Sequence, residues 1–290
     1  MPYDIFKAAR GIISEADAVL IIAGAGMSVD SGIPTYRCSG GLWEKSIKLG
    51  DTTYRYDEIS SLDMWENFPE LAWGFKASFM KTVADHEPHE GYDTLLRFCR
   101  RLNNNYFVCT SNIDNYFERA GFDADKIYEV HGTVKYIQCV DKKCATKHGV
   151  LDTTPALIPP YNEETMLAHN LPVCPKCANM LRPNISMFGD FKFCTKMCEY
   201  SSIKLENWLD TVNKNNQKLV ILEIGCGINP HSLRMNNGTM LSNEWKLPRI
   251  NNLLHTIRLN PEEEEETYEG LLHLPLGAKR GLKQLLCSSS

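Results

Sequence analysis

The chain has 290 residues, 43% hydrophobic and 23% charged, the mixture of a globular protein able to bury an ordinary core. Its formal net charge of −5 provides no basic field, so direct nucleic-acid binding is not expected. No apolar run approaches the ~18 residues that span a bilayer, and Met1 to Arg10 lacks the basic and apolar regions of a secretory leader. A soluble, cytoplasmic protein is the expectation, with the nucleus as the alternative. In that reducing setting, clusters among the eleven cysteines are expected to hold metal rather than to pair as disulfides.

An amphipathic segment closing at Ser14 to Asp17 precedes Ala18 to Ala23 (AVLIIA), whose unbroken apolar run predicts a strand buried on both faces. A small-residue loop follows, Gly24-Ala25-Gly26-Met27-Ser28. From Asp57 to Val83, aromatic residues at mixed helical spacings predict short helices over a groove. A helix is read from His89 to Arg101 and a second strand at Tyr106 to Thr110 (YFVCT), leading through Asn112 and Asp114 into a helix ending near Ala120. Between Gln138 and Arg182 the texture turns loop-rich, with four cysteines and several prolines, and reads as an inserted module. Lys218 to Ile224 (KLVILEI) is a third buried strand, closed by Gly225-Cys226-Gly227, and Thr256 to Leu259 a fourth, closed by Asn260. The acidic run Glu262 to Glu266 reads as a solvated helix start. Gly277 to Leu286 predicts a terminal helix. Buried strands alternating with helices predict a parallel α/β sheet, with ligands beyond the carboxyl ends of its strands.

Three chemical signals lie in these loops. Gly24-Ala25-Gly26 could admit a diphosphate and offer it free amides, or could simply be a tight strand-to-helix turn, since the G-x-G-x-x-G spacing fails at the next glycine, Gly32. Cys139-x4-Cys144 and Cys174-x2-Cys177 supply four thiolates to one tetrahedral zinc; with every position filled by protein, that zinc is structural. Cys194-x3-Cys198 and His148 are weaker rivals for this role. His131, after Tyr128-Glu129-Val130, is placed at a strand end, where it could act as a general base near neutral pH or, as a lone histidine more often does, serve a structural role. Asn112 and Asp114 could orient a ribose, or cap the helix through Phe117.

Taken in order, these segments resemble the sirtuin family of NAD-dependent protein deacylases. The resemblance is carried by Gly24 to Ser28 with Ser31-Gly32-Ile33-Pro34-Thr35-Tyr36-Arg37, Thr110-Ser111-Asn112-Ile113-Asp114, His131-Gly132-Thr133, and the two cysteine pairs. It continues through Leu181-Arg182-Pro183-Asn184 to Phe188-Gly189-Asp190, Glu223 to Gly227 and Ile257 to Pro261. It implies a Rossmann-like NAD-binding domain over 1–36, 101–134 and 187–290. It also implies a smaller inserted domain, made of a helical module at 37–100 and a zinc-ribbon module at 135–186.

The implied activity is transfer of an acyl group from a lysine of a protein or peptide to ADP-ribose, with nicotinamide released. His131, Asn112 and Asp114 are the implied catalytic set. NAD would contact Ala23, Gly24, Gly26, Ser28, Ile33, Pro34, Tyr36, Arg37, Ser111, Asn112, Asp114, Gly225, Cys226 and Asn260. The acyl-lysine peptide would contact Ser186, Met187, Phe188 and Gly189, and the structural zinc Cys139, Cys144, Cys174 and Cys177. ADP-ribosyl transfer or NAD hydrolysis in the same cleft is the alternative, and a non-catalytic NAD-binding module a further one.

The chain departs from the family pattern at Thr35-Tyr36-Arg37, where Asp-Phe-Arg is common, at Ser111, where glutamine is common, and at Ser186, where an apolar residue is usual. The Tyr-x-x-Arg pair of members favouring acidic acyl groups is not evident near Trp73 to Phe79. That argues against succinyl or malonyl preference, while Lys76 keeps the option open.

Overall fold

The computed structural model describes residues 4–35, 46–49, 52–227, 251–261 and 269–287. Tyr36, Arg37 and the acidic run Glu262 to Glu266 lie outside the described residues.

Helix α1 (Ile5–Ser14), whose first turn is capped by Asp4, leads into β1 (Ala18–Ala23). After the hairpin β2 (Ser46–Leu49) and β3 (Thr52–Arg55) come four helices: α2 (Tyr56–Ile59), α3 (Leu62–Asn67), α4 (Pro69–Asp85) and α5 (Glu90–Arg101). Then follow β4 (Tyr106–Thr110), α6 (Tyr116–Arg119), β5 (Ile127–Glu129), β6 (Gly132–Cys139), α7 (Lys142–His148), β7 (Leu151–Asp152) and β8 (Leu181–Ile185). The described chain closes with α8 (Lys196–Lys214), β9 (Leu219–Ile224), β10 (Leu253–Leu259), β11 (Leu271–Leu274) and α9 (Ala278–Leu286).

Six strands form one parallel sheet in the order β11-β10-β9-β1-β4-β5. The four strands read from the sequence are its centre. Of the two outer ones, β5 is legible only as the strand end before His131, and β11 is short and only partly buried, which hides it from a pattern search. Every residue of β1 is buried because the strand faces protein on both sides. Val19, Ile21 and Ala23 pack into a core with Ala9 and Ile13 of α1, Leu95 and Phe98 of α5, and Leu282 and Leu285 of α9. Ala18, Leu20 and Ile22 meet Leu205, Leu209 and Val212 of α8 on the opposite face.

A smaller unit stands beside this sheet. Its antiparallel strands run in the order β7-β6-β8, and they share a single core with the helices α2 to α4. Trp65 and Trp73 meet edge to face at 5.4 Å, and the Trp73 indole donates to the Leu181 carbonyl at 2.9 Å. The sequence boundary at residue 100 assigns α5 to the helical module, whereas packing places α5 on the large sheet. Tyr92, Leu95, Leu96 and Phe98 form an apolar stripe at helical spacing that meets the parallel-sheet core.

Candidate active site

Chain order reverses at the centre of the sheet. From β1 the strands proceed to β4 and β5 on one side, while β9, β10 and β11 lie on the other. At such a switch point the loops leaving adjacent strands diverge and open a crevice at their carboxyl ends. The two glycine loops lie there, Gly24-Ala25-Gly26 after β1 and Gly225-Cys226-Gly227 after β9.

The glycines serve contact between these loops. A Cβ on Gly225 would come within 2.4 Å of the Gly26 carbonyl carbon, and one on Gly24 within 2.6 Å of the Gly225 oxygen. Gly225 also has φ +63°, a left-handed backbone that other residues adopt only with strain. The expectation of free amides fails for Gly24 and Gly26, whose N–H groups are engaged within the protein. Gly24 N donates to Ile224 O at 2.9 Å, Gly26 N to Gly225 O at 3.0 Å, Met27 N to Gly24 O at 2.9 Å and Ser28 N to Ala25 O at 3.1 Å. Ala23 is fully buried, and its carbonyl accepts from Ser111 N at 3.1 Å and Thr110 Oγ1 at 3.0 Å. The Cys226 thiol is buried in the core beneath the loop, while its carbonyl accepts from the Asn260 amide at 3.2 Å. Ile33 is buried and Pro34 half-buried just beyond the first loop.

Asn112 and Asp114 follow β4, beside β1, and both are buried. They converge on Ser28. The Ser28 hydroxyl donates to Asp114 Oδ2 at 2.6 Å and accepts from Asn112 Nδ2 at 3.0 Å; the Tyr92 hydroxyl lies 2.9 Å away. Because the single serine proton is engaged by Asp114, Tyr92 must donate to Ser28. Ser28 is thereby saturated, with one proton given and two accepted, and it acts as a hub holding the amide and the carboxylate. Asp114 also accepts from Tyr116 N at 2.9 Å, so the same carboxylate that binds Ser28 leads the chain into α6. Burial raises the Asp114 pKa, while the hydrogen bonds from Ser28 and the Tyr116 amide oppose the shift. Tyr92 was not legible as a site residue, because in sequence it is one more aromatic on the buried face of an amphipathic helix.

His131 follows β5, one strand further along the same carboxyl edge. Burial lowers its pKa below the usual 6.5 and keeps the imidazole neutral at neutral pH. Gly132 then turns the chain into β6 with φ +73°. A Cβ there would lie 2.0 Å from the Asn184 carbonyl oxygen. Glu129, two residues before His131, is a half-buried carboxyl pushed up to about 8 by desolvation. Its perturbation is invisible in sequence because it comes from tertiary burial.

The segment Ser186 to Gly189 runs from the His131 edge to the helical unit. Ser186 N donates to His131 O at 2.9 Å. Phe188 pairs with the other side, its amide donating to Ser60 O and its carbonyl accepting from Leu62 N, each at 3.1 Å. Met187 is half-buried and Phe188 and Gly189 are exposed.

Cys139, Cys144, Cys174 and Cys177 come together with all four Sγ atoms within 4.8 Å of one another. The Asn179 amide donates to Cys177 Sγ at 3.5 Å and Asp141 N to Cys139 Sγ at 3.4 Å, contacts that favour thiolates. Four soft donors in one cluster fit a tetrahedral zinc with no open position. Cys194 and Cys198 lie elsewhere, directed at the Ala145 and Glu129 carbonyls, and His148 is not in the cluster.

A family model described as "Sir2 family" matches residues 24–209, well over half of the chain. The chain belongs to the Sir2 family. An NAD-dependent protein deacylase of Thermococcus sibiricus is 31% identical over 186 residues, covering 64% of this chain and 66% of that protein. An NAD-dependent protein deacetylase of Bacillus subtilis is 30% identical over 183 residues, covering 62% and 67%. The chain thus matches about two-thirds of the length of these relatives. A crystal structure of a Sir2 homologue–NAD complex superposes with a TM-score of 0.66 at 22% identity, covering 97% of this chain and 92% of that one, so the Sir2 fold extends beyond the matched sequence.

Proposed function

We propose that the protein is an NAD-dependent protein-lysine deacylase, a transferase that moves the acyl group to ADP-ribose and releases nicotinamide. The observation that carries this reading is the buried Ser28–Asn112–Asp114 network on the strand edge that also ends in His131. Bound NAD would supply the ribose acceptor and the nicotinamide leaving group. Asn112 and Asp114, held rigidly by Ser28 and Tyr92, would orient the ribose. Neutral His131 would take the proton from a ribose hydroxyl as that oxygen attacks the acyl carbon. Holding both reactants at one crevice supplies effective molarity, which can account for much of the rate.

For cofactor contact we propose the backbone around Gly24, Gly26, Gly225 and Cys226, with Ala23, Ser28, Ile33, Pro34, Ser111 and Asn260. Tyr36 and Arg37 complete that set on sequence grounds. For the extended acyl-lysine peptide we propose contact with Ser186, Met187, Phe188 and Gly189. The four clustered cysteines would hold one structural zinc that contributes folding energy. We propose a cytoplasmic setting. Among the described residues no helix is long and apolar enough to cross a membrane.

A second reading, ADP-ribosyl transfer or NAD hydrolysis, is motivated by half-buried Ser111, which is too short to make the contacts of a glutamine. Mass spectrometry of an acetyl-lysine peptide with and without NAD separates the two. NAD-dependent loss of the acetyl group with O-acetyl-ADP-ribose formed supports deacylation. Free ADP-ribose, or a protein heavier by one ADP-ribosyl unit, with the peptide intact supports the second reading.

A further inference from the structure

The first turn of α5 grips the first glycine loop through a histidine that the proposed mechanism does not use. His89, legible in the sequence only as a helix start, is buried and caps α5. Its Nδ1 accepts from Gly91 N at 2.9 Å, and its Nε2 lies 2.8 Å from the Met27 carbonyl oxygen. These partners fix the tautomer. An amide donor requires a bare Nδ1 and a carbonyl acceptor requires the proton on Nε2, so the ring is neutral and donates to Met27. The ring also excludes any side chain at Gly91, where a Cβ would come within 2.4 Å of His89 Cε1. Two further bonds join the same turn to the same loop. His89 N donates to Ser31 Oγ at 2.8 Å, and the Tyr92 hydroxyl meets Ser28 Oγ at 2.9 Å. The two rings pack edge to face with centroids 5.1 Å apart.

Met27 sits between the two parts of the loop that matter most. On one side is Gly26, packed against Gly225, and on the other is Ser28, which holds Asn112 and Asp114. Resting on the NAD-binding reading, we propose that His89 is a positioning residue for the cofactor loop: through its bond to Met27 it fixes the stretch between the glycine contact and the Ser28 hub. A second proton on the ring has only Nδ1 to occupy. There it would face the Gly91 N–H instead of accepting it, at a helix N-terminus that disfavours positive charge. Protonation therefore breaks the cap that holds the ring against the loop. The charged groups around His89 come from three elements. Asp30 of the loop accepts from Lys279 N of α9 at 3.0 Å, and Lys279 Nζ lies 3.7 Å from Glu90 of α5. Burial lowers the His89 pKa below the usual 6.5; the Met27 carbonyl, Asp30 and Glu90 oppose the shift, and Lys279 reinforces it. Tyr92 adds no charge, since burial raises its own pKa. The clamp thus holds at neutral pH and weakens as pH falls below 6.5.

Two substitutions in the full chain separate the jobs of the two ring nitrogens. In His89→Asn the amide oxygen takes the place of Nδ1 and keeps the cap of α5, but nothing reaches the Met27 carbonyl. In His89→Gln the longer amide takes the place of Nε2 and keeps the bond to Met27 while the cap is lost. Thermal melting confirms that each variant folds. Calorimetry with ADP-ribose at neutral pH is expected to show binding about fivefold weaker in His89→Asn, the worth of one hydrogen bond, and close to wild type in His89→Gln. Hydrogen exchange without ligand is expected to quicken over 24–33 in His89→Asn alone. A purely structural cap gives the reverse order, with His89→Asn like wild type and His89→Gln impaired, and that result overturns the proposal. Below pH 6.5 the wild type is expected to lose affinity more steeply than His89→Gln, which has no proton to take up; parallel slopes also overturn it. Failure of the wild type to bind ADP-ribose overturns the cofactor reading, and the exchange pattern then decides the clamp by itself. Binding that His89→Asn leaves unchanged keeps the cofactor reading and overturns the clamp.

Discussion

At the scale of single residues, the proposed chemistry depends on groups whose properties are set by burial. His131 titrates below 6.5 because its imidazolium is poorly solvated. A base with a lowered pKa is active above that value and lost below it. Turnover should therefore be flat through neutral pH and fall on the acid side of 6.5, as a pH–rate profile of kcat/KM would show. The same shift works against stability in acid: the unfolded chain takes up the proton first, so stability declines as pH falls below 6.5. Replacing His131 with alanine should cost at least ~100-fold in turnover, the low end for a general base, while leaving the thermal melt and NAD binding close to wild type. Tyr92→Phe removes the one donor that can complete Ser28. It should lower stability by about 1 kcal/mol in denaturant titration and reduce kcat as Asn112 and Asp114 loosen.

At the scale of elements, two contacts tie together the strands and loops beside the crevice. Between β9 and β10, Glu223 and Arg258 are cross-strand partners with side chains 0% and 1% exposed, bonded at 2.6 and 3.1 Å. Glu223→Ala would remove the carboxylate bonded to a buried guanidinium and should destabilise by about 3–5 kcal/mol in a urea melt. Replacing both partners with apolar residues should cost much less. The second contact is between the glycine loops. Gly225→Ala places a methyl group against the Gly26 backbone at 2.4 Å and strains a left-handed residue, so the loops must separate. Calorimetry should show NAD affinity falling together with stability.

For the whole molecule, the zinc cluster and the helices α2 to α4 share one apolar core, which contains Trp65, Trp73, Cys139 and Cys174. Chelation should therefore disturb more than the cysteine loops. We expect a lower melting temperature, loss of zinc by elemental analysis and a red-shifted tryptophan emission, whereas the parallel-sheet core, packed separately, should retain its far-ultraviolet dichroism. If metal-free protein kept its native melt and emission, the structural role would be refuted.

Much of this was open to inspection in the chain alone, because some constraints are local. An unbroken apolar run such as Ala18 to Ala23 is explained by burial on both faces of a parallel strand, and four cysteines in two short-spaced pairs have few uses other than a closed metal site. His131, Asn112 and Asp114 were legible as candidates because polar residues directly after buried strands occupy the edge where ligands bind. Tertiary structure decided the rest, through contacts between residues far apart in the sequence. It brought Ser28 to Asp114, 86 positions away, and Tyr92 to Ser28, and it turned the glycines from free phosphate donors into a close loop–loop contact. It moved α5 onto the large sheet. It also seated the His89 imidazole between Gly91 and the distant Met27, since solvation and hydrogen bonding depend on which groups fold around a side chain.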